Sequence, residues 1–361
     1  MTMKHLRMRS RIALSACAAL ICIGSVHAQT SPDARRQRLE SLIERIASGD
    51  EVESADAADA LLRDVVDPLA EAIGSLESRP LAEQIRITDA LRAVHAELRV
   101  RLMRADLPPE DRELFDAFNA RYPQLVRRLY DDDAYYRLQA LQRLPLEPGT
   151  GASVLIAEKV ADADEEVVET ALRLAAQLKD DIVARGLTRF IRRVMDLVDA
   201  DFFQPPLEEV ELVLGIYTQR CITVLGAAHA KSGVPEILRA VRHFGRKYER
   251  NLWDIGEVCL ALGEIGDARA VPVLLEIRAD RSIRRAVNVG PGQMISQTHG
   301  DAALLALLRI YGLDPSDYRF RSPPNMPELL GFVDDADRTA AHTRFTRWLA
   351  EHAAGDSTAS S

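Results

Sequence analysis

Ala261-Leu262-Gly263-Glu264-Ile265-Gly266-Asp267-Ala268-Arg269-Ala270-Val271-Pro272-Val273-Leu274-Leu275 decides the fold, because part of it has been written once already. Leu225-Gly226 stands 37 residues before Leu262-Gly263, and each glycine is followed nine positions later by a proline, Pro235 in Val234-Pro235-Glu236-Ile237-Leu238 and Pro272 in the later copy. A fixed period of this size marks stacked repeats, in which each unit is too small to bury its own core and relies on its neighbours. Repeat arrays serve as binding surfaces more often than as catalysts, so the period speaks first for architecture.

Working outward, the same short helix–turn–longer helix rhythm can be followed from residue 123. It pairs 124–130 with 134–144, 152–160 with 165–178, 181–198 with 208–228, 234–247 with 251–265, and 271–278 with 301–311. Val168, Ala171, Leu172, Ala175 and Leu178 share one helical face, as do Ile255, Val258, Cys259 and Leu262. The chain is 47% hydrophobic but only 5% aromatic, which suits small repetitive helical packing better than a β-sandwich. The expected fold is therefore all-α: a right-handed α-solenoid of about five helix pairs over 123–312, with an N-terminal helical unit at 29–122. Stripes at 39–46, 62–76 and 87–102 make that unit a helical hairpin or three-helix bundle. Residues 302–308 are apolar on nearly every side, so that helix should be covered on both faces, with 313–352 as the cap. Residues 353–361 read as a frayed polar tail.

Residues 1–28 read as a secretory signal. Lys4, Arg7, Arg9 and Arg11 precede an apolar run at 12–23 that is too short to span a bilayer, and Val26-His27-Ala28 offers a small-residue cleavage pattern. Lipid attachment at Cys17 is the weaker reading of the same segment. No further membrane span is expected. Removing four cations and no acids deepens the net charge beyond the −9 of the whole chain, which disfavours nucleic acid as a partner. The expected location is periplasmic or secreted. Cys221 and Cys259 fall on apolar positions of successive helices, where two buried free thiols are favoured over a disulfide because packed helices are spaced too widely.

The quoted stretch, with Gly266 placed to end one helix, Asp267 to cap the next and Pro272 in its first turn, resembles the short HEAT repeat of the phycobilisome-lyase type. That resemblance implies the helix-pair solenoid, and a family of scaffolds, adaptors and a few pigment lyases or isomerases. Farther on, Gly300-Asp301-Ala302-Ala303-Leu304, Leu313-Asp314-Pro315-Ser316-Asp317-Tyr318-Arg319-Phe320, Leu330-Gly331-Phe332 and Arg347-Trp348-Leu349 are similar to a C-terminal module of exported HEAT-like proteins from planctomycete-type bacteria. Their tyrosine-glycine-phenylalanine is Tyr318-Arg319-Phe320 here.

A search for chemistry finds no zinc-protease, hydrolase-elbow or phosphate-loop motif. Asp131-Asp132-Asp133 and Asp162-Ala163-Asp164 lack the rest of a calcium loop and read as helix-start caps. No catalytic residue, cofactor or metal is expected. Two features suggest binding instead. Arg242, Arg246, Lys247 and Arg250 in one repeat and Arg281, Arg284 and Arg285 in the next could form a basic ridge, although cations also favour helix C-termini on their own account. Residues 281–300 read as a long loop around Gly290-Pro291-Gly292, with Gln293, Gln297 and His299 as polar contacts. The expected function is a non-enzymatic exported scaffold or adaptor for a protein partner, with an anionic envelope polymer or lipid head group on the ridge as the alternative.

Overall fold

The computed structural model describes residues 106–356 apart from 148–149, 205–206, 248–251 and 291–292, together with five isolated positions between 96 and 104. The signal segment, nearly all of the N-terminal helical unit before 106, Arg250 and the last residues of the tail lie outside the described residues. The chain divides into two compact units, Met1–Leu174 and Ala175–Ser361.

In the first unit, α1 (Pro109–Arg121), α2 (Pro123–Arg128), α3 (Ala134–Arg143) and α4 (Gly151–Glu158) precede α5 (Glu165–Leu178), whose last turn belongs to the second unit. Prolines open α1 and α2, where a missing N–H costs nothing. Helix α4 packs on α1, and its first residue has to be glycine. A Cβ on Gly151 would lie 2.4 Å from the Cβ of Phe118 and 2.6 Å from the Leu114 carbonyl oxygen. Phe115, Leu129, Leu141, Leu155 and Ile156 fill the core. The acidic turns do cap helices: Asp133 accepts from the Tyr135 amide at 2.9 Å, and Asp164 from the Glu166 amide at 3.0 Å.

The second unit contains α6 (Asp181–Asp199), α7 (Glu208–Ala227), α8 (Val234–Lys247), α9 (Ile255–Ile265), α10 (Val271–Ile277), β1 (Ile283–Gly290), β2 (Gln293–Thr298), α11 (His299–Ile310) and α12 (Asp335–Asp356). Helices α7, α9 and α11 lie side by side, with α6 and α8 against α7 and α10 against α11. The repeated glycines explain the closeness. A Cβ on Gly226 would sit 2.8 Å from the Cα of Ala261, and one on Gly263 2.7 Å from the Cα of Ala306. Each glycine therefore faces an alanine of the next helix at backbone range. Gly263→Ala should cost about 1–3 kcal/mol through overpacking, despite a gain of up to ~1 kcal/mol in helix propensity. A urea midpoint at or above wild type would remove this account.

Gly266 ends α9 in the left-handed region at φ 67°, and Asp267 accepts from the Arg269 amide at 2.9 Å, as the sequence implies. Residues 302–308 of α11 are fully buried. Among the described residues, α7 alone is long and apolar enough to cross a membrane, and 61% of that window is buried inside the fold. Cys221 and Cys259 are buried free thiols.

The described residues are mostly helical, as expected, and the correction concerns the loop. Residues 281–300 are not an irregular loop: they fold into the antiparallel hairpin β1–β2, and α11 starts directly after it at His299. Ile283, Val287, Val289 and Ile295 are the β-branched residues that such strands prefer. Beyond β2, Ser296 bridges Phe332 and Arg321 bridges Gly331. Gly331 permits this approach, since a Cβ there would lie 2.4 Å from the Ser296 carbonyl oxygen. Arg319, in the glycine position of the resembled module, adopts the left-handed φ of 62°.

Candidate functional site

The root of the hairpin is an ionic network built from four separated segments. Asp254 caps α9, accepting from the amides of Gly256 at 2.9 Å and Glu257 at 3.2 Å. Its carboxylate also takes Arg284 Nε at 2.8 and 2.9 Å. The same guanidinium donates to Gln297 Oε1 at 2.7 Å and pairs with Glu257, which Arg285 reaches at 2.9 Å. Gln297 then donates to the Leu330 carbonyl at 2.6 Å. Gly256 makes room for all of this, because a Cβ there would lie 2.4 Å from the Arg284 Cδ.

A second cluster adjoins it at the start of α11. Thr298 and Asp301 form a capping box, at 2.8 and 3.0 Å. From α12, Arg338 Nε donates to Asp301 at 2.9 Å and Arg338 Nη2 to Ser296 Oγ at 2.7 Å, while His342 Nε2 meets Asp301 at 3.2 Å. Burial pushes the Asp301 carboxyl upward, but hydrogen bonds from His342 and Thr298 and the charge of Arg338 outweigh it and hold the group below the usual range. Burial holds the His342 imidazole below its usual value. An ionised Asp301 only accepts, so the neutral His342 carries its proton on Nε2.

These groups satisfy one another, and the network acts as a rigid mount. Among the described residues no cluster of His, Cys, Asp or Glu could hold a metal ion. Burial pushes both thiols well above their ordinary range, which leaves Cys221 and Cys259 poor nucleophiles.

The mount presents the outer edge of β1. Ser296 donates to and accepts from Phe332 at 2.9 Å, so its backbone groups point away from β1. Ala286 stands opposite Ser296. Opposed residues of an antiparallel ladder exchange both hydrogen bonds or neither. The N–H and C=O of Ala286 therefore point out of the sheet, and the two-residue period gives Asn288 the same direction. No backbone hydrogen bond beyond β2 reaches β1 among the described residues. Residues 281–300 carry three arginines and no Glu, with Asp first at 301.

Of the residues singled out from sequence, Arg284, Gln297 and His299 are buried in the mount and are not available to a partner. The reason is neutralisation: Asp254 and Glu257 draw Arg284 inward. Arg281, Gln293 and the half-exposed Arg285 face solvent around β1. Arg242 and Arg246 are exposed on α8, and Lys247 pairs with the buried Glu211 at 2.6 Å. Sequence reasoning missed Asp254, Glu257, Arg338 and His342. The Thr298-x-x-Asp301 capping signal was legible; its partners on α12 were not.

No protein-family model matches the chain, and no curated protein or solved structure does.

Proposed function

We propose that this chain is an exported, non-enzymatic adaptor built as a right-handed α-solenoid of HEAT-like pairs, and that it takes an extended acidic segment of a partner protein along the free edge of β1. The side-by-side course of α7, α9 and α11, with the glycine–alanine contacts at Gly226 and Gly263, supports the solenoid. The basic start and apolar run before Ala28 support export.

The outward backbone of Ala286 and Asn288 carries the binding reading. Together they offer two donors and two acceptors to an added strand, the mode of β-augmentation. At about 1 kcal/mol net for each hydrogen bond, the four sum to about 4 kcal/mol, which the lost translational and rotational freedom of association offsets. Tighter binding needs side chains: Arg281 and Arg285 for carboxylates, and the exposed Ile283 and Met294 for apolar contact.

The test uses proline, which an edge strand tolerates where its N–H faces outward. Ala286→Pro and Asn288→Pro should keep the fold and weaken capture of an acidic extended peptide at least tenfold. Unchanged binding of such peptides by both variants would sink the proposal. A second reading, an anionic envelope component held by α8, is favoured by the exposure of Arg242 and Arg246, which have no ion partner among the described residues. It predicts binding lost in Arg242→Ser/Arg246→Ser and indifferent to the prolines.

A further inference from the structure

The first unit holds a cleft that plays no part in this reading. The last turns of α1, α2 and α3 bring the solvent-exposed Arg121, Arg128 and Arg143 to the rim of one open cleft of about 290 Å³, with Tyr122, Gln124 and Glu147. We infer that this cavity is a binding site for a small organic anion bearing forked oxyanion groups, carboxylate or phosphate.

The partnering of the arginines carries the inference. Elsewhere in this unit Arg104 pairs with Asp116, Arg137 with Asp162, and Arg112 donates to two carbonyls. In the cleft, Arg121 lies over the Tyr122 ring at 5.3 Å, and Arg128 and Arg143 have no hydrogen bond or ion pair among the described residues. Helix ends attract cations, by about 0.3–1 kcal/mol each, which accounts for each arginine separately. It does not account for three meeting at one cavity, where like charges repel. The chain has 55 acidic residues against 46 Lys and Arg, yet only Glu147 joins them.

Guanidinium forks match planar or tetrahedral oxyanions in bidentate fashion. The volume is close to the lower limit of small-ligand pockets, about 300 Å³. Pro123 and Leu125 add apolar wall for a carbon skeleton. Glu147 accepts from a hydroxyl on the ligand, and the volume exceeds that of a bare inorganic anion, which favours a hydroxylated organic one.

Calorimetry on the full chain at fixed ionic strength tests this with citrate, glucose 6-phosphate and inorganic phosphate. Citrate or glucose 6-phosphate should bind, and Arg128→Gln/Arg143→Gln should weaken that binding at least tenfold while Arg104→Gln leaves it unchanged. Whichever of the two binds more tightly identifies the oxyanion. Binding of neither, or equal affinity in the double variant, overturns the site. Inorganic phosphate binding as tightly as the organic probes overturns the assignment to an organic ligand.

Discussion

Asp162→Asn should cost the first unit about 3–5 kcal/mol, the penalty for breaking a buried ion pair and stranding its partners. Arg137 and Lys159 both depend on this one carboxylate. Arg137 reaches it through Nε at 3.1 Å and Nη2 at 2.8 Å, and Lys159 Nζ at 3.2 Å; the three side chains are 5–7% exposed. Arg137 also donates to the carbonyls of Asp131 and Asp132, at 2.7 and 2.9 Å. Burial pushes the Asp162 carboxyl upward, but Lys159 and Arg137 outweigh it and hold it below the usual range. Lys159 is itself held low by burial, with Asp162 opposing. An asparagine would turn an amide donor toward a cation. Native stabilities run to only about 5–15 kcal/mol, so the variant should show a much lower urea midpoint. Lys159→Met should cost far less, since it leaves Arg137 and Asp162 as a balanced pair, and Asp162→Asn should hurt less in that background. Additive costs in the cycle would refute the shared-carboxylate account. In acid the wild type loses the same support: the folded pKa lies below the unfolded one, so the stabilisation is present above the usual aspartate range and disappears as pH falls through it.

Asp162 also shows what a sequence can and cannot disclose. The run Asp162-Ala163-Asp164 marks a helix start, and Asp164 caps α5 as read. That Asp162 turns inward to two cations depends on Arg137, 25 residues earlier, and no local pattern announces such a pairing. The 37-residue period behaves differently. It is a local rule repeated, so the glycines, the left-handed Gly266 and the capping Asp267 could all be placed in advance. The hairpin was hidden by its own charges. Arg284 and Arg285 interrupt the alternation of Ile283, Val287 and Val289, and bulges at both ends of β1 shift the register. Read as a line of cations, the segment suggested a ridge. In three dimensions Arg284 is drawn into the mount, and what remains outside is a strand edge, formed by backbone atoms common to every residue.

Asp301→Asn should be the most damaging single change to that edge, costing about 2–4 kcal/mol and abolishing peptide capture by β1. Asp301 is wholly buried and its carboxylate accepts from three donors, the Thr298 amide, Arg338 Nε and His342 Nε2, while its own amide donates to the Thr298 hydroxyl and closes the box. An amide keeps one acceptor and turns a donor toward Arg338 or His342. Unsatisfied buried groups cost about 1–3 kcal/mol each, more when charged. The effect should reach β1 because Arg338 also holds Ser296, the residue that pairs β2 with Phe332 and faces Ala286 across the sheet. Hydrogen exchange should report it as faster exchange of the β2 and residue-332 amides while α7 keeps its protection. The same cluster sets a pH response of defined sign. Burial depresses the His342 pKa, so the unfolded chain takes up a proton near pH 6.5 that the folded chain still refuses. Stability should therefore fall as pH drops below about 6.5 and level off beneath the folded value. His342→Gln should flatten that limb. A variant that keeps the full slope between pH 7 and 5 would show that the proton is taken up elsewhere.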